Sequence, residues 1–138
     1  MDKIAIYAGS FNPWHKGHQY VYEEGMKLFG HIIVVKAINP EKQNQMALKS
    51  RMPLYAILPE GQALGNFAKE KAIDYFIRGI RNTSDYDYEF KLAVMNKDIF
   101  DIRTIFIPCD PSLSHINSSM LRELNKLNVD IKDYLVTK

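Results

Sequence analysis

The chain has 138 residues, 46% of them hydrophobic and 25% charged, a balance that fits one globular domain with a real core. Its 18 basic and 16 acidic residues leave a formal charge of +2, too even to point to a nucleic-acid partner, which usually meets clustered Lys and Arg. A single cysteine, Cys109, excludes an internal disulfide framework, and no apolar run approaches the roughly 18 residues of a membrane span, so a cytoplasmic chain with no membrane partner is expected.

Lys3 to Ala8 (KIAIYA) is short, apolar and stopped by Gly9, which predicts a strand buried on both faces. Gly17 to Phe29 follows a helical period through Val21, Met26, Leu28 and Phe29, with Gly25 near its end. Ile32 to Ile38 is a second buried strand, closed by Asn39-Pro40, so the first forty residues form a β-α-β unit with a right-handed crossover. The fifteen or so residues before the next strand are barely enough for another crossover, and Pro53 cuts a helix short. This interval reads as a loop or a single helical turn. Leu54 to Leu58 predicts a strand, Asn66 to Ile73 a helix and Tyr75 to Ile80 a strand. Asp85 to Phe100 predicts a longer helix, with Phe90, Leu92, Val94, Met95 and Ile99 as its apolar positions and Tyr86 and Tyr88 as packing residues. Thr104 to Ile107 is a strand, and Ser118 to Leu127 and Ile131 to Val136 are helical. The alternation predicts a single-domain, doubly wound, Rossmann-like α/β fold over residues 1–138: a parallel sheet of about five strands with helices on both faces.

Ligands of such sheets bind beyond the carboxyl ends of the strands. Gly9, Ser10, Phe11, His15, Gly17 and His18 follow the first strand, and Lys42 follows the second. Arg78, Gly79 and Arg81 end the fourth, and CDPSLSHINSS follows the fifth. Gly9 and Gly17 permit close backbone approach. Arg and Lys suit phosphate by charge. Asn117, Ser118 and Ser119 stand at a helix start, where free N–H groups attract anions. Taken singly, each signal has a plainer explanation. His15 and His18 suit a metal pair or a structural role, Asn117 suits a helix cap, and arginines are usually solvated. Arg78 is less easily dismissed, since it interrupts an apolar strand and so should face a cleft or a partner.

At this point GSFNPWHKGH resembles the G-[ST]-F-D-P-x-[HT]-x-G-H signature of the H-x-G-H nucleotidyltransferases, and INSS resembles their I-S-S-S or I-S-S-T motif. IRGIRNTSDYDYEFKLAVMN, NPEK and ALGNFA narrow the resemblance to the bacterial phosphopantetheine adenylyltransferases, over residues 2–125. That resemblance implies transfer of AMP from ATP to 4′-phosphopantetheine, giving dephospho-coenzyme A and pyrophosphate, with Mg²⁺ entering with the ATP. It implies that His18 contacts the α-phosphate with Ser10 beside it, and that His15 adds a supporting hydrogen bond. It places Lys42 between the two substrates' phosphates, and Arg81 with Ser118 and Ser119 on the β- and γ-phosphates. Phe11, Gly79, Glu89 and Ile116 are implied to line the nucleotide site. Leu64, Arg78, Asn96 and Glu123 are implied to line the pantetheine site. No residue is implied as a metal ligand. The family forms hexamers, so a homo-oligomer is expected.

Four departures from the family pattern stand out, one being Leu113-Ser114-His115 in place of a more aromatic W-S-F-like segment. Asn12 replaces an Asp, Asn117 replaces the first Ser of I-S-S-S, and the segment near 46–53 lacks most of a helix that the family carries there. Two other functions share these motifs in part: another H-x-G-H transferase, acting on a nicotinamide or nicotinate mononucleotide or using CTP, and a non-catalytic nucleotide-binding protein.

Overall fold

The computed structural model describes residues 3–38 and 49–137. β1 (Lys3–Gly9), β2 (Gly30–Lys36), β3 (Leu54–Ile57), β4 (Tyr75–Ile80) and β5 (Arg103–Pro108) form one parallel sheet in the order β3-β2-β1-β4-β5. Its helices are α1 (Lys16–Phe29), α2 (Leu64–Glu70), α3 (Thr83–Phe100) and α4 (Ser118–Lys126). β1 is central, paired with β2 along its whole length and with β4 through Ile6 and Tyr7. The chain winds outward from β1 to β2 and β3, then returns to start β4 on β1's other side. That reversal lies between the carboxyl ends of β1 and β4 and makes the crevice in which such folds bind ligands.

Side-chain alternation divides the core in two. Ala5, Tyr7, Val34, Ile77 and Ile107 face α1, which covers them with Val21, Tyr22, Met26 and Phe29. Ile6, Ala8, Val35, Phe76 and Ile102 face the other way, against Phe67 and Ala68 of α2. Strands buried on both faces are apolar through their buried stretch, as Ala5–Ala8 of β1 and Ile32–Val35 of β2 are. A third cluster (Ile116, Leu121 and Ile131) fastens α4 to the C-terminal segment.

The doubly wound α/β sheet with helices on both faces is the architecture expected. Two local expectations fail. Ile131 to Val136 is not a helix; it holds one 3₁₀ turn at Lys132–Tyr134, and beyond it the chain extends so that Leu135 forms an antiparallel bridge with His15. Ile131 and Leu135 are both buried, and that burial, not a helical repeat, explains their spacing. The second correction concerns α3, where Glu89 is the buried residue, while Tyr86, Tyr88, Phe90, Leu92, Val94, Met95 and Ile99 are all exposed. β2 also begins two residues early and ends at Lys36. Residues 49–53 form no helix or strand, and the rest of the interval expected to be shortened (46–48) lies outside the described residues.

Gly65 sets how closely α2 meets α3. A Cβ built there would stand 2.3 Å from the Phe100 ring, so the ring would have to move. Gly65→Ala is expected to destabilise the fold by about 2 kcal/mol through overpacking, measured by urea unfolding. Adding Phe100→Leu should recover most of the loss, and a neutral single variant would contradict this packing.

Candidate active site

The site is built from the turn after β1 upward. Phe11 adopts a left-handed backbone conformation (φ 44°), and its buried ring meets Tyr7, Trp14 and His18 edge-on. A Cβ on Gly9 would lie 2.9 Å from that ring, so the close approach requires glycine. The turn delivers His15 to the N-cap of α1.

His15 and His18 then cap the helix reciprocally. His15 Nδ1 accepts the Gly17 N–H at 3.0 Å, and His18 Nδ1 accepts the His15 N–H at 3.1 Å. This is the capping-box geometry with imidazoles in place of hydroxyl and carboxylate. The two rings stack with centroids 3.7 Å apart. Each Nδ1 must present a lone pair to a backbone N–H, so the neutral ring carries its proton on Nε2. Burial lowers the His15 pKa to about 4, and the Arg81 charge adds to this. Burial also pushes His18 well below its ordinary value, with His15, Arg81 and Arg78 adding. At neutral pH the pair is therefore two uncharged Nε2–H donors at a helix N-terminus.

Both histidines line a cleft of about 510 Å³ at the reversal point of the sheet. Gly9, Ser10, Phe11 and Gly17 border it from the first turn; Arg78, Gly79 and Arg81 border it from the end of β4; Glu89 borders it from α3. Ile116, Asn117, Ser118 and Ser119 close it from the start of α4. Fourteen of the residues singled out in the sequence are thus brought to one cavity. Leu64 and Asn96 are not among them; they line a smaller adjoining cavity, which shares Arg78 and Glu89 with the cleft. Glu123 is exposed on α4 and lines neither cavity. Lys42 lies outside the described residues.

Arg78 is where strand periodicity placed it, on the sheet but facing a cavity. Its Nε donates to Glu89 Oε1 at 2.6 Å and to Oε2 at 3.2 Å, and Nη1 donates to the Ala8 carbonyl at 2.6 Å. Arg81 Nε donates to Asp85 Oδ2 at 3.1 Å, and its Nη1 to the Ile116 carbonyl at 3.1 Å. Asn117 Oδ1 caps α4 by accepting the Met120 N–H at 3.1 Å, so its plain structural role is realised within the cleft wall. Ser118 Oγ donates to the Pro13 carbonyl at 3.3 Å.

Sequence reasoning missed Arg122. Its guanidinium donates to Ser119 Oγ at 3.1 Å and to the Asn12 carbonyl, joining α4 to the turn after β1, and it lines the cleft. The signal was available: Arg122 stands one helical turn beyond Ser118 and Ser119, and so on their face of α4.

Chemically, the cleft offers three arginines, two neutral imidazole N–H donors and two helix N-termini. That inventory suits a polyphosphate. Its two carboxylates, Asp85 and Glu89, are both held by arginines. Among the described residues no group of three or more His, Cys, Asp or Glu side chains is arranged to hold a metal ion. Burial raises the pKa of the Cys109 thiol, which keeps it protonated and a poor nucleophile.

A family model described as cytidylyltransferase-like matches residues 6–124. A phosphopantetheine adenylyltransferase of Coxiella burnetii (strain Dugway 5J108-111) is 36% identical over 145 residues, covering 98% of this chain and 91% of its own length. One of Cytophaga hutchinsonii is 32% identical over 149 residues, covering 100% of this chain and 99% of its own. Among solved structures, a putative nicotinate-nucleotide adenylyltransferase from Vibrio parahaemolyticus superposes with TM-score 0.62 at 20% identity, covering 99% of this chain and 95% of its own. At that identity the likeness speaks for the fold alone.

The buried histidines make stability depend on pH in one direction. Above pH 6.5 His15 is neutral folded or unfolded; below it the unfolded chain binds a proton that the folded one refuses, so stability falls as pH falls. His15 alone is expected to cost about 3 kcal/mol between pH 7 and pH 4. His15→Asn keeps a capping acceptor but cannot titrate, and should flatten that part of the curve in urea unfolding. An equal loss in the variant would count against the assignment.

Proposed function

This chain belongs to the cytidylyltransferase-like family and, within it, to the phosphopantetheine adenylyltransferases, and on that premise we propose how its cleft transfers AMP from ATP to 4′-phosphopantetheine. The reaction needs no covalent enzyme intermediate. An oxygen of the acceptor's phosphate attacks the α-phosphorus of ATP, the bond from that phosphorus to the β-bridging oxygen breaks, and pyrophosphate leaves with the electron pair. The protein must hold the two phosphates in line and neutralise the charge that develops.

The observation that carries the reading is the reciprocal histidine cap. It fixes two Nε2–H donors beside a helix N-terminus without adding charge to the resting site. His18 donates to an α-phosphate oxygen as negative charge grows there, and His15 supports it, with Ser10 alongside. Arg81, Ser118 and Ser119 hold the β- and γ-phosphates and then the departing pyrophosphate, and Asn117 shapes the N-terminus they share. Gly9, Gly17 and Gly79 border the nucleotide with Phe11, Glu89 and Ile116, and their missing side chains let Phe11, His15 and Val21 pack closely beneath it. The pantetheine arm lies along Leu64, Arg78 and Asn96. The family resemblance assigns Lys42 and Glu123 to the acceptor side.

Mg²⁺ fits this site as a partner of the substrate. Asp85 and Glu89 are engaged by arginines, so the phosphates and water would hold the ion, as is usual where magnesium meets a nucleotide. When bound it neutralises part of the triphosphate charge.

Two further parts of the reading concern the chain's surroundings. Alignments of 145 and 149 residues exceed the chain's own 138, so the chain is shorter than these relatives over the matched region, and we place that shortening near 46–53. α3 turns two apolar rows to solvent: Tyr86, Phe90 and Val94 on one, and Tyr88, Leu92, Met95 and Ile99 on the other. The two rows flank the packed side of the helix rather than forming one face, and apolar surface exposed in this way suits an interface; we assign it to self-association. No helix among the described residues is long and apolar enough to cross a membrane.

Pyrophosphate release with Mg-ATP and a panel of acceptors tests the activity. Release is expected with phosphopantetheine and not with nicotinamide mononucleotide, nicotinate mononucleotide or, with CTP, glycerol phosphate. ATP binding without release on any acceptor would favour a non-catalytic protein. His18→Ala should lower kcat by a factor of about 10² to 10³ with little change in ATP affinity. His18→Asn keeps an acceptor for the cap and should fold as the parent does, so near-normal turnover in it would remove His18 from its role. In light scattering, the chain should run larger than a monomer, and Phe90→Glu with Val94→Glu should reduce it to smaller species.

A further inference from the structure

On the face of the sheet opposite α1 lies the smaller cavity, of about 40 Å³. Thr104 is on this face by strand alternation, in step with buried Ile102 and paired in register with Phe76. The hydroxyl oxygen of Thr104 is shut off from solvent and has no hydrogen-bond partner among the described residues. Buried polar atoms left in this state are few in native proteins, and each costs stability.

The surroundings say what would satisfy it. Phe76 and Leu92 give the cavity apolar walls suited to a methylene chain, while Asn96 brings a side-chain amide with both donors and an acceptor. Arg78, the cation at its edge, has its charge met by Glu89, which favours a neutral group over an anionic one on this side. A neutral group that both donates and accepts, carried on an apolar chain, fits this set: an amide.

We propose that Thr104 determines specificity for the acceptor, its hydroxyl pairing with one amide of the acceptor's chain as that chain enters beside Leu64 and Asn96. The cavity is too small for the whole arm, so the contact is to a single group along it. This inference rests on the phosphopantetheine reading above and adds to it a residue that none of the family motifs contains.

Thr104→Val exchanges the hydroxyl for a methyl group of nearly the same shape, and its expected effects have opposite signs. In the free protein it should raise Tm by about 3 °C, since an unpaired hydroxyl is removed. In steady-state pyrophosphate release it should raise KM for phosphopantetheine about tenfold, leaving KM for ATP within twofold and kcat near that of the parent. Thr104→Ser retains the hydroxyl and should restore KM. A raised Tm with unchanged KM for phosphopantetheine overturns the proposal, as does a lowered Tm, which would mean that the hydroxyl is already paired. A parallel rise in both KM values overturns it too, as a general disturbance of the site. If the unmodified chain releases no pyrophosphate with phosphopantetheine, the functional reading fails and takes this proposal with it. Turnover by the unmodified chain with no KM change in Thr104→Val removes the proposal alone.

Discussion

The contact on which the site depends is the ion pair between Arg78 and Glu89. A guanidinium on a central strand of a parallel sheet is costly unless its charge is met. Here Glu89, the buried residue of α3, meets it through two hydrogen bonds to Nε, and the Ala8 carbonyl takes a third at Nη1. One side chain thereby ties β1, β4 and α3 at the point where the sheet reverses its winding. The same pair stands as the wall between the large cleft and the small cavity. It explains why α3 is held so firmly at Glu89 although most of its large apolar side chains are exposed.

Set against that wall, the histidine pair solves a different problem. On the proposed reading, a cationic imidazole would also strengthen ground-state phosphate binding, which by itself does not raise kcat. Burial and the neighbouring arginines keep both rings neutral, and two backbone N–H groups decide which nitrogen keeps the proton. The arginines carry the charge, and the imidazoles contribute direction.

Much of this was legible in the sequence because buried parallel strands are the clearest pattern a chain offers. KIAIYA and YFIRGI have no polar face to confuse the reading, and each strand's end could be searched for phosphate-binding groups. Arg78 announced itself by interrupting such a run. What was hidden depended on tertiary partners. Nothing local distinguishes the spacing of Ile131 and Leu135 from a helical repeat; it comes from burying one residue against α4 and pairing the other with His15. Periodicity reports that the apolar residues of α3 share faces, but not whether anything covers them. Arg122 was overlooked because its importance comes from reaching the Asn12 carbonyl, 110 residues away in sequence.

The bridge between His15 and Leu135 also says something about when the site comes into being. Sheet pairing can begin early, since β1 and β2 are joined by a single helix, but β4 must wait for some seventy residues and the His15 bridge for one hundred and twenty. Contacts of such long sequence separation are the slow ones in folding. During synthesis, a nascent chain long enough to complete all five strands still has its histidine turn unpaired on one side. A contact that forms this late in chain order borders the chemistry, so the site is completed only after Leu135 has taken its place.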